Sequence, residues 1–223
     1  MAQRKRAGLI TRRSLDRNEV LLAYLFLHRT QYVHDSPTGS GHILSLLDSA
    51  PPNPRIAIGT TTEIPPTPQS FTENPHFVSI LQRVVRAHAA ADPRVQADAL
   101  QFASHAGAPL LNNQRRRVRQ GGSGAANYQG GTGGGGVGGW VHVHDQRAVP
   151  AFGRIPYPED IMGSLLVDSE GNIVNREQGG DWEENRMYRL VTRAGIMTLS
   201  PFLRDRLREA LVEEERRVTE NDA

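Results

Sequence analysis

Cysteine is absent from this 223-residue chain. That excludes disulfides, a thiol nucleophile and thiolate metal sites, and it fits a reducing, intracellular compartment. Lysine is almost absent as well: Lys5 is the only one, so every other basic residue is Arg. Arg keeps its charge at high pH, which lifts the sequence pI to about 9.3 although the net charge is only +2. So skewed a ratio fits Arg-rich codon usage better than a dedicated nucleic-acid binder. Aromatics are scarce at 6%, and the longest apolar run, Val20 to Leu27, falls far short of the roughly 20 residues that cross a bilayer. Neither a membrane span nor a secretory signal is expected. Catalytic signatures are missing too. No serine sits in a G-x-S-x-G setting. The Gly131–Gly139 tract lacks the Gly-Lys-Ser/Thr ending and the preceding strand of a phosphate loop.

Glycine and proline are plentiful instead, at 22 and 14 residues, many of them clustered. The clusters divide the chain. Residues 1–17 carry Arg4, Lys5, Arg6, Arg12, Arg13 and Arg17 against Asp16 alone, and they read as a basic disordered N-terminus. The same stretch is compatible with a mitochondrial presequence or a minimal nuclear signal. Residues 18–70 read as short helices and Pro-rich connector. Leu15 to Phe26 has helical spacing behind Ser14, predicting a helix over 14–29. Ile43, Leu44, Leu46 and Leu47 predict a short helix, stopped by Pro51, Pro52 and Pro54. Arg55–Gly59 predicts a short strand, and Thr60–Pro68 an extended, polyproline-like spacer.

Residues 71–111 predict a helical hairpin. Asn74–Pro75 supplies an N-cap and a proline at the first helical position. Phe77, Ile80, Leu81, Val84, Val85 and His88 then form one apolar face. Asp92–Pro93 repeats the start signal, and Val95, Ala99, Phe102, Ala103 and Ala106 supply a second stripe that ends at Gly107. Residues 112–139 hold half of the glycines and no apolar periodicity, predicting an Arg/Gly-rich flexible linker. Roughly 20 such residues span about 25 Å on average.

Residues 140–218 read as a continuous α+β module. Trp140-Val-His-Val-His-Asp145 alternates as a strand does. Pro158–Ile161 predicts one helical turn. Gly163–Asp168 and Asn172–Val174 flank a hairpin turn. Met187–Thr192 and Ile196–Leu199 predict two further strands around Ala194–Gly195. Ser200–Pro201 opens a final helix that buries Phe202, Leu203, Leu207, Ala210 and Leu211. The expected fold class is therefore α+β: a small antiparallel sheet with a C-terminal packing helix, preceded by a helical hairpin and a disordered Gly-rich linker.

Several stretches of the sequence carry a resemblance: Gly139–Arg147, Gly153–Ser164, Tyr188–Gly195 and Leu199–Leu203. Together they resemble a family of proteins from filamentous fungi that has no known function. The similarity begins near Phe71 and includes the Gly-rich insert. It implies no activity, cofactor or site.

The residues themselves offer three candidate sites. His142 and His144 lie two apart on a strand, so their side chains share a face roughly 7 Å apart, a spacing at which two imidazoles can hold one metal. Asp145, His76, His88 or His105 would have to complete the set; the plainer reading is a half-exposed strand face. Arg154 with Glu159 and Asp160 could clamp an anion, or serve as the ion pair that holds an irregular turn. Arg115, Arg116, Arg117 and Arg119, beside the glycines and Tyr128, resemble weak, unspecific RNA-binding composition. No cofactor is expected, and the balance falls against an enzyme. The favoured expectation is an intracellular, mainly cytoplasmic interaction or assembly module with a protein partner, its surfaces on the 75–106 hairpin and the 201–218 helix. An accessory RNA-binding protein and a small metal-dependent enzyme using His142 and His144 are the alternatives.

Overall fold

The computed structural model describes residues 31–36, 41–107, 138–151 and 154–221. The expected helix at 14–29, the basic N-terminus and most of the Arg/Gly-rich stretch, Arg115 to Arg119 included, lie outside the described residues. What is described is a mixed α+β fold of small antiparallel sheets with a C-terminal helix.

The first sheet has four strands in sequence order: β1 (Tyr32–Asp35), β2 (His42–Ser45), β3 (Gly59–Thr61) and β4 (Phe71–Glu73). It corrects the expectation of a short helix at Ile43–Leu47. Strand β2 pairs on both sides, and Ile43, Leu44 and Ser45 are all buried. A central strand covered on both faces has no polar alternation, and its apolar run imitates a buried helix. Arg55–Gly59 is likewise not a strand along its length. The ladder starts with Ile58 N–H to Leu44 O and runs on through Gly59–Thr61. Nor is Thr60–Pro68 an extended spacer. It closes the β3–β4 connection, with Thr62 N–H donating to Ser70 O and Phe71 N–H to Thr67 O. The Thr61, Thr67 and Ser70 hydroxyls bond within the loop.

Helix α1 (Pro75–His88) starts where its punctuation predicts. Asn74 Oδ1 accepts from His76 N–H, while its Nδ2 reaches the carbonyls of Pro54, Arg55 and Ala57. One side chain thus caps the helix and anchors the turn ahead of β3. After a single 3-10 turn at Ala89–Ala91, α2 (Pro93–Gly107) begins under Asp92, whose Oδ1 accepts from Arg94 N–H.

Strand β5 (Gly139–His144) pairs with β6 (Ile161–Val167), which pairs with β7 (Trp182–Glu184). A 3-10 turn at Pro158–Asp160 leads into β6, as Pro158–Ile161 predicts. The expected hairpin turn closes at Asp168–Asn172, but its return limb pairs only through the Val167–Ile173 bridge. Two-residue strands β8 (Val191–Thr192) and β9 (Gly195–Ile196) replace the longer pair expected there.

Helix α3 (Pro201–Asn221) buries Leu203, Leu207 and Leu211. Its principal helical neighbour is α1. The apolar faces of 75–88 and of the last helix are turned inward. Leu44, Phe77, Leu81, Val85, Leu165, Leu190 and Leu207 belong to one continuous core that joins both halves of the chain. Among the described residues no helix is long and apolar enough to cross a membrane.

Candidate functional site

Among the described residues the most densely bonded polar group is the guanidinium of Arg147, whose side chain is only 2% exposed. It sits just beyond β5. Nε donates to Asp160 Oδ1 at 2.7 Å, Nη1 to the carbonyls of Leu190 (2.9 Å) and Gly195 (3.5 Å), and Nη2 to those of Glu159 (3.0 Å) and Arg189 (2.7 Å). An Arg has five N–H donors, and here each has an acceptor. The guanidinium also lies over the Tyr188 ring, 5.6 Å from its centroid.

Asp145 completes the group. Its Oδ1 accepts from the N–H groups of Arg147 and Thr198, and its Oδ2 from the Tyr188 hydroxyl at 2.8 Å. Burial pushes the Asp145 carboxyl up, against the pull of Arg147 and of these bonds. Burial first, then the Asp145 charge, hold the Tyr188 hydroxyl far above the ordinary tyrosine value. The guanidinium donors are engaged, and both carboxylates are buried. The cluster's role is to fix the backbone of 145–147, 157–160 and 189–198 into one frame.

The expected Arg154, Glu159 and Asp160 lie beside this frame in different surroundings. Asp160 is buried and pairs with Arg147, while Arg154 and Glu159 are exposed and make no ion pair with each other. Sequence reasoning passed over Arg147 because no periodicity marks a buried arginine. The one available signal was Asp145-Gln-Arg147 directly after a strand.

His142 and His144 do occupy the half-buried face of β5, opposite buried Val141 and Val143. Each ring is bonded locally. His142 Nδ1 is 2.9 Å from Ser164 Oγ, and His144 Nδ1 is 3.0 Å from Asp145 O. A carbonyl only accepts, so His144 Nδ1 carries the proton and Nε2 faces Asp98 Oδ2 at 4.0 Å. Asp98 is pushed up by burial against the pull of His144 and Arg94. The neighbouring cleft, lined by Asp92, Arg94, Asp98, His144, Gln146 and Ser200, has room for about one water molecule. Among the described residues no three His, Asp or Glu side chains converge as metal ligands do. His76 is 3.4 Å from Glu214 on α3 instead.

Of the six large apolar side chains that are well exposed among the described residues, four are Val149, Ile155, Tyr157 and Met187. Tyr157 is 74% and Met187 62% exposed. Asn185 brings their segments together: its Nδ2 donates to Pro158 O and Ile161 O, and its Oδ1 accepts from Met187 N–H. Arg189 N–H adds a bond to Glu159 O. The segments 155–160 and 185–189 are thus stitched side by side with their apolar tips outward. Nothing in the sequence distinguishes these residues from core positions.

Comparison with protein-family models, with curated proteins and with solved structures finds no match.

Proposed function

We propose that this chain is a non-enzymatic protein-interaction module that works within an assembly. The observation that carries this reading is that exposed Ile155, Tyr157 and Met187 sit on two chain segments that Asn185 and Arg189 bond to each other. Exposed apolar residues scattered singly need no explanation, but several gathered on one ordered surface mark a contact site. Tyr and Met are favoured at such sites because they bring large area and adaptable packing. The polar clusters support the same reading, since the buried one is consumed by backbone bonds and the cleft beside His144 is water-sized. RNA binding through Arg115, Arg116, Arg117 and Arg119 rests on composition alone.

The test is sedimentation of the tagged chain in extracts of its own source cells, beside a Tyr157→Ser/Met187→Ser variant. The wild type is expected in a complex larger than the monomer, and the variant is expected to leave it while keeping its unfolding midpoint. A wild type that sediments as a monomer, or a variant that stays in the complex, overturns the assignment to this surface.

A further inference from the structure

Resting on the interaction reading above, we propose that the exposed segment 155–158 is a polyproline-II ligand whose partner is a protein domain with an aromatic-lined groove. Ile155, Pro156, Tyr157 and Pro158 are two X-Pro dipeptides in succession. A following proline keeps Ile155 and Tyr157 out of the helical region, and the ring of Pro156 fixes its own φ at about −65°. Tyr157 has φ −63° and ψ 145°, the values of polyproline II. That helix repeats every three residues, so Ile155 and Pro158 fall on one side of the segment and Tyr157 on another. Ile155, Tyr157 and Pro158 are all exposed, while Pro156 is half-buried. Their contiguity in the chain is what presents them together.

The backbone is open to the same partner. Among the described residues nothing donates to the carbonyls of Ile155 and Pro156. Grooves that read polyproline II pack aromatic rings against such segments, and an indole N–H or phenol O–H at the rim can meet a free carbonyl. Both ends of the segment are tied down. Arg154 N–H donates to Ala151 O, Asp160 N–H to Tyr157 O, and Asn185 Nδ2 to Pro158 O. A ligand already held in its bound shape loses little entropy on docking. The other proline clusters are folded back on themselves. Asn53 O accepts from Ile56 N–H behind Pro51 and Pro52, and buried Pro66 lies in the loop closed by Thr67 and Ser70. A second copy of this chain is a poor receptor, because among the described residues every aromatic side chain except Tyr157 is buried or half-buried.

The probe is a panel of purified WW and Src-homology polyproline-reading domains, immobilised and titrated with the full chain by biolayer interferometry. Two variants run beside the wild type, each checked by its unfolding midpoint. Pro156→Ala/Pro158→Ala keeps both apolar tips and frees the backbone, whereas Tyr157→Ser keeps the backbone and removes one tip. Tyr157 is 74% exposed, so its replacement leaves the core alone and the test survives an unstable proline variant. At least one domain is expected to bind the wild type, and to bind either variant about tenfold more weakly. A free oligoproline peptide is expected to displace the wild type. Failure of the whole panel overturns the proposal. So does undiminished binding of the proline variant, or binding that oligoproline leaves intact. If the panel fails while Tyr157→Ser/Met187→Ser still leaves its native complex, the partner chemistry is wrong and the module reading stands. If that variant also stays in the complex, the surface has neither role.

Discussion

Ser200 donates its hydroxyl hydrogen bond to Asp92, a residue 108 positions earlier, while each of the two caps its own helix. Asp92 Oδ1 accepts from Arg94 N–H at the start of α2, and Ser200 Oγ accepts from Leu203 N–H at the start of α3. Both side chains are buried. The starts of two helices from opposite halves of the chain are tied to each other through their caps.

Ser200→Ala removes a cap and strands a buried acceptor, so a loss of about 2 kcal/mol in urea unfolding is expected. Asp92→Ala is expected to cost at least as much. Because the two share one bond, a double-mutant cycle should show coupling on the order of 1 kcal/mol. Strict additivity would mean that each cap acts alone.

Arg147→Met leaves Asp145 and Asp160 buried without their cation and takes one donor from each of four carbonyls. Breaking a buried pair from one side costs about 3–5 kcal/mol. Lys is expected to recover little, since one ammonium cannot reach acceptors spread around a planar fork. Adding Asp160→Asn to Arg147→Met should be milder than Arg147→Met alone. Chemical denaturation of the three variants checks the order.

The pH dependence follows from Asp145, whose carboxyl burial holds above its ordinary 3.8. Between 3.8 and the folded value, the native state keeps a proton that the unfolded chain has released. Stability from this group is therefore fully present below 3.8, falls as pH rises through the folded value, and is flat above it. Asp98 has the same sign, and the lowered Asp168 has the opposite one. Asp145→Asn cannot titrate, so the urea midpoint of wild type relative to this variant should drop as pH rises through that window. A midpoint difference that grows instead would show that Arg147 outweighs burial.

Gly163→Ala tests the β6–β7 contact. A Cβ there would lie 2.1 Å from the Trp182 ring and 2.7 Å from Glu183 O, so ring and strand must both move. Overpacking of this kind costs about 1–3 kcal/mol. The Trp182 emission is expected to shift to the red as the ring is lifted toward solvent. An unchanged spectrum and midpoint would show that the sheet yields freely.

The helices of this fold were legible because each described one opens on a polar residue followed by proline: Asn74–Pro75, Asp92–Pro93 and Ser200–Pro201. That pairing names the cap and the first turn without reference to anything distant. Strand β5 was legible through its alternation. The four-stranded sheet was not, because Ile43–Ser45 is buried on both faces and the 62–70 loop is held by hydroxyl-to-backbone bonds that leave no periodic trace. The Arg147 frame was hidden for a related reason. Its partners are mostly backbone carbonyls of Glu159, Arg189, Leu190 and Gly195, and a carbonyl has no residue identity for a sequence to display. His142 and His144 were placed on the correct face, but Ser164 Oγ and Asp145 O, which their rings meet, depend on register and backbone course.

The packing of α1 against α3 sets an order of events during synthesis. Phe77, Ile80, Leu81, Val84 and Val85 leave the ribosome well before Leu203, Leu207 and Leu211, which close over that side of the core. Until residues 201–221 have emerged, a growing chain leaves the part of the α1 apolar face that α3 covers open to solvent. Its solubility over that interval depends on whatever shelters nascent hydrophobic helices, and a truncation before Ser200 would make that temporary exposure permanent.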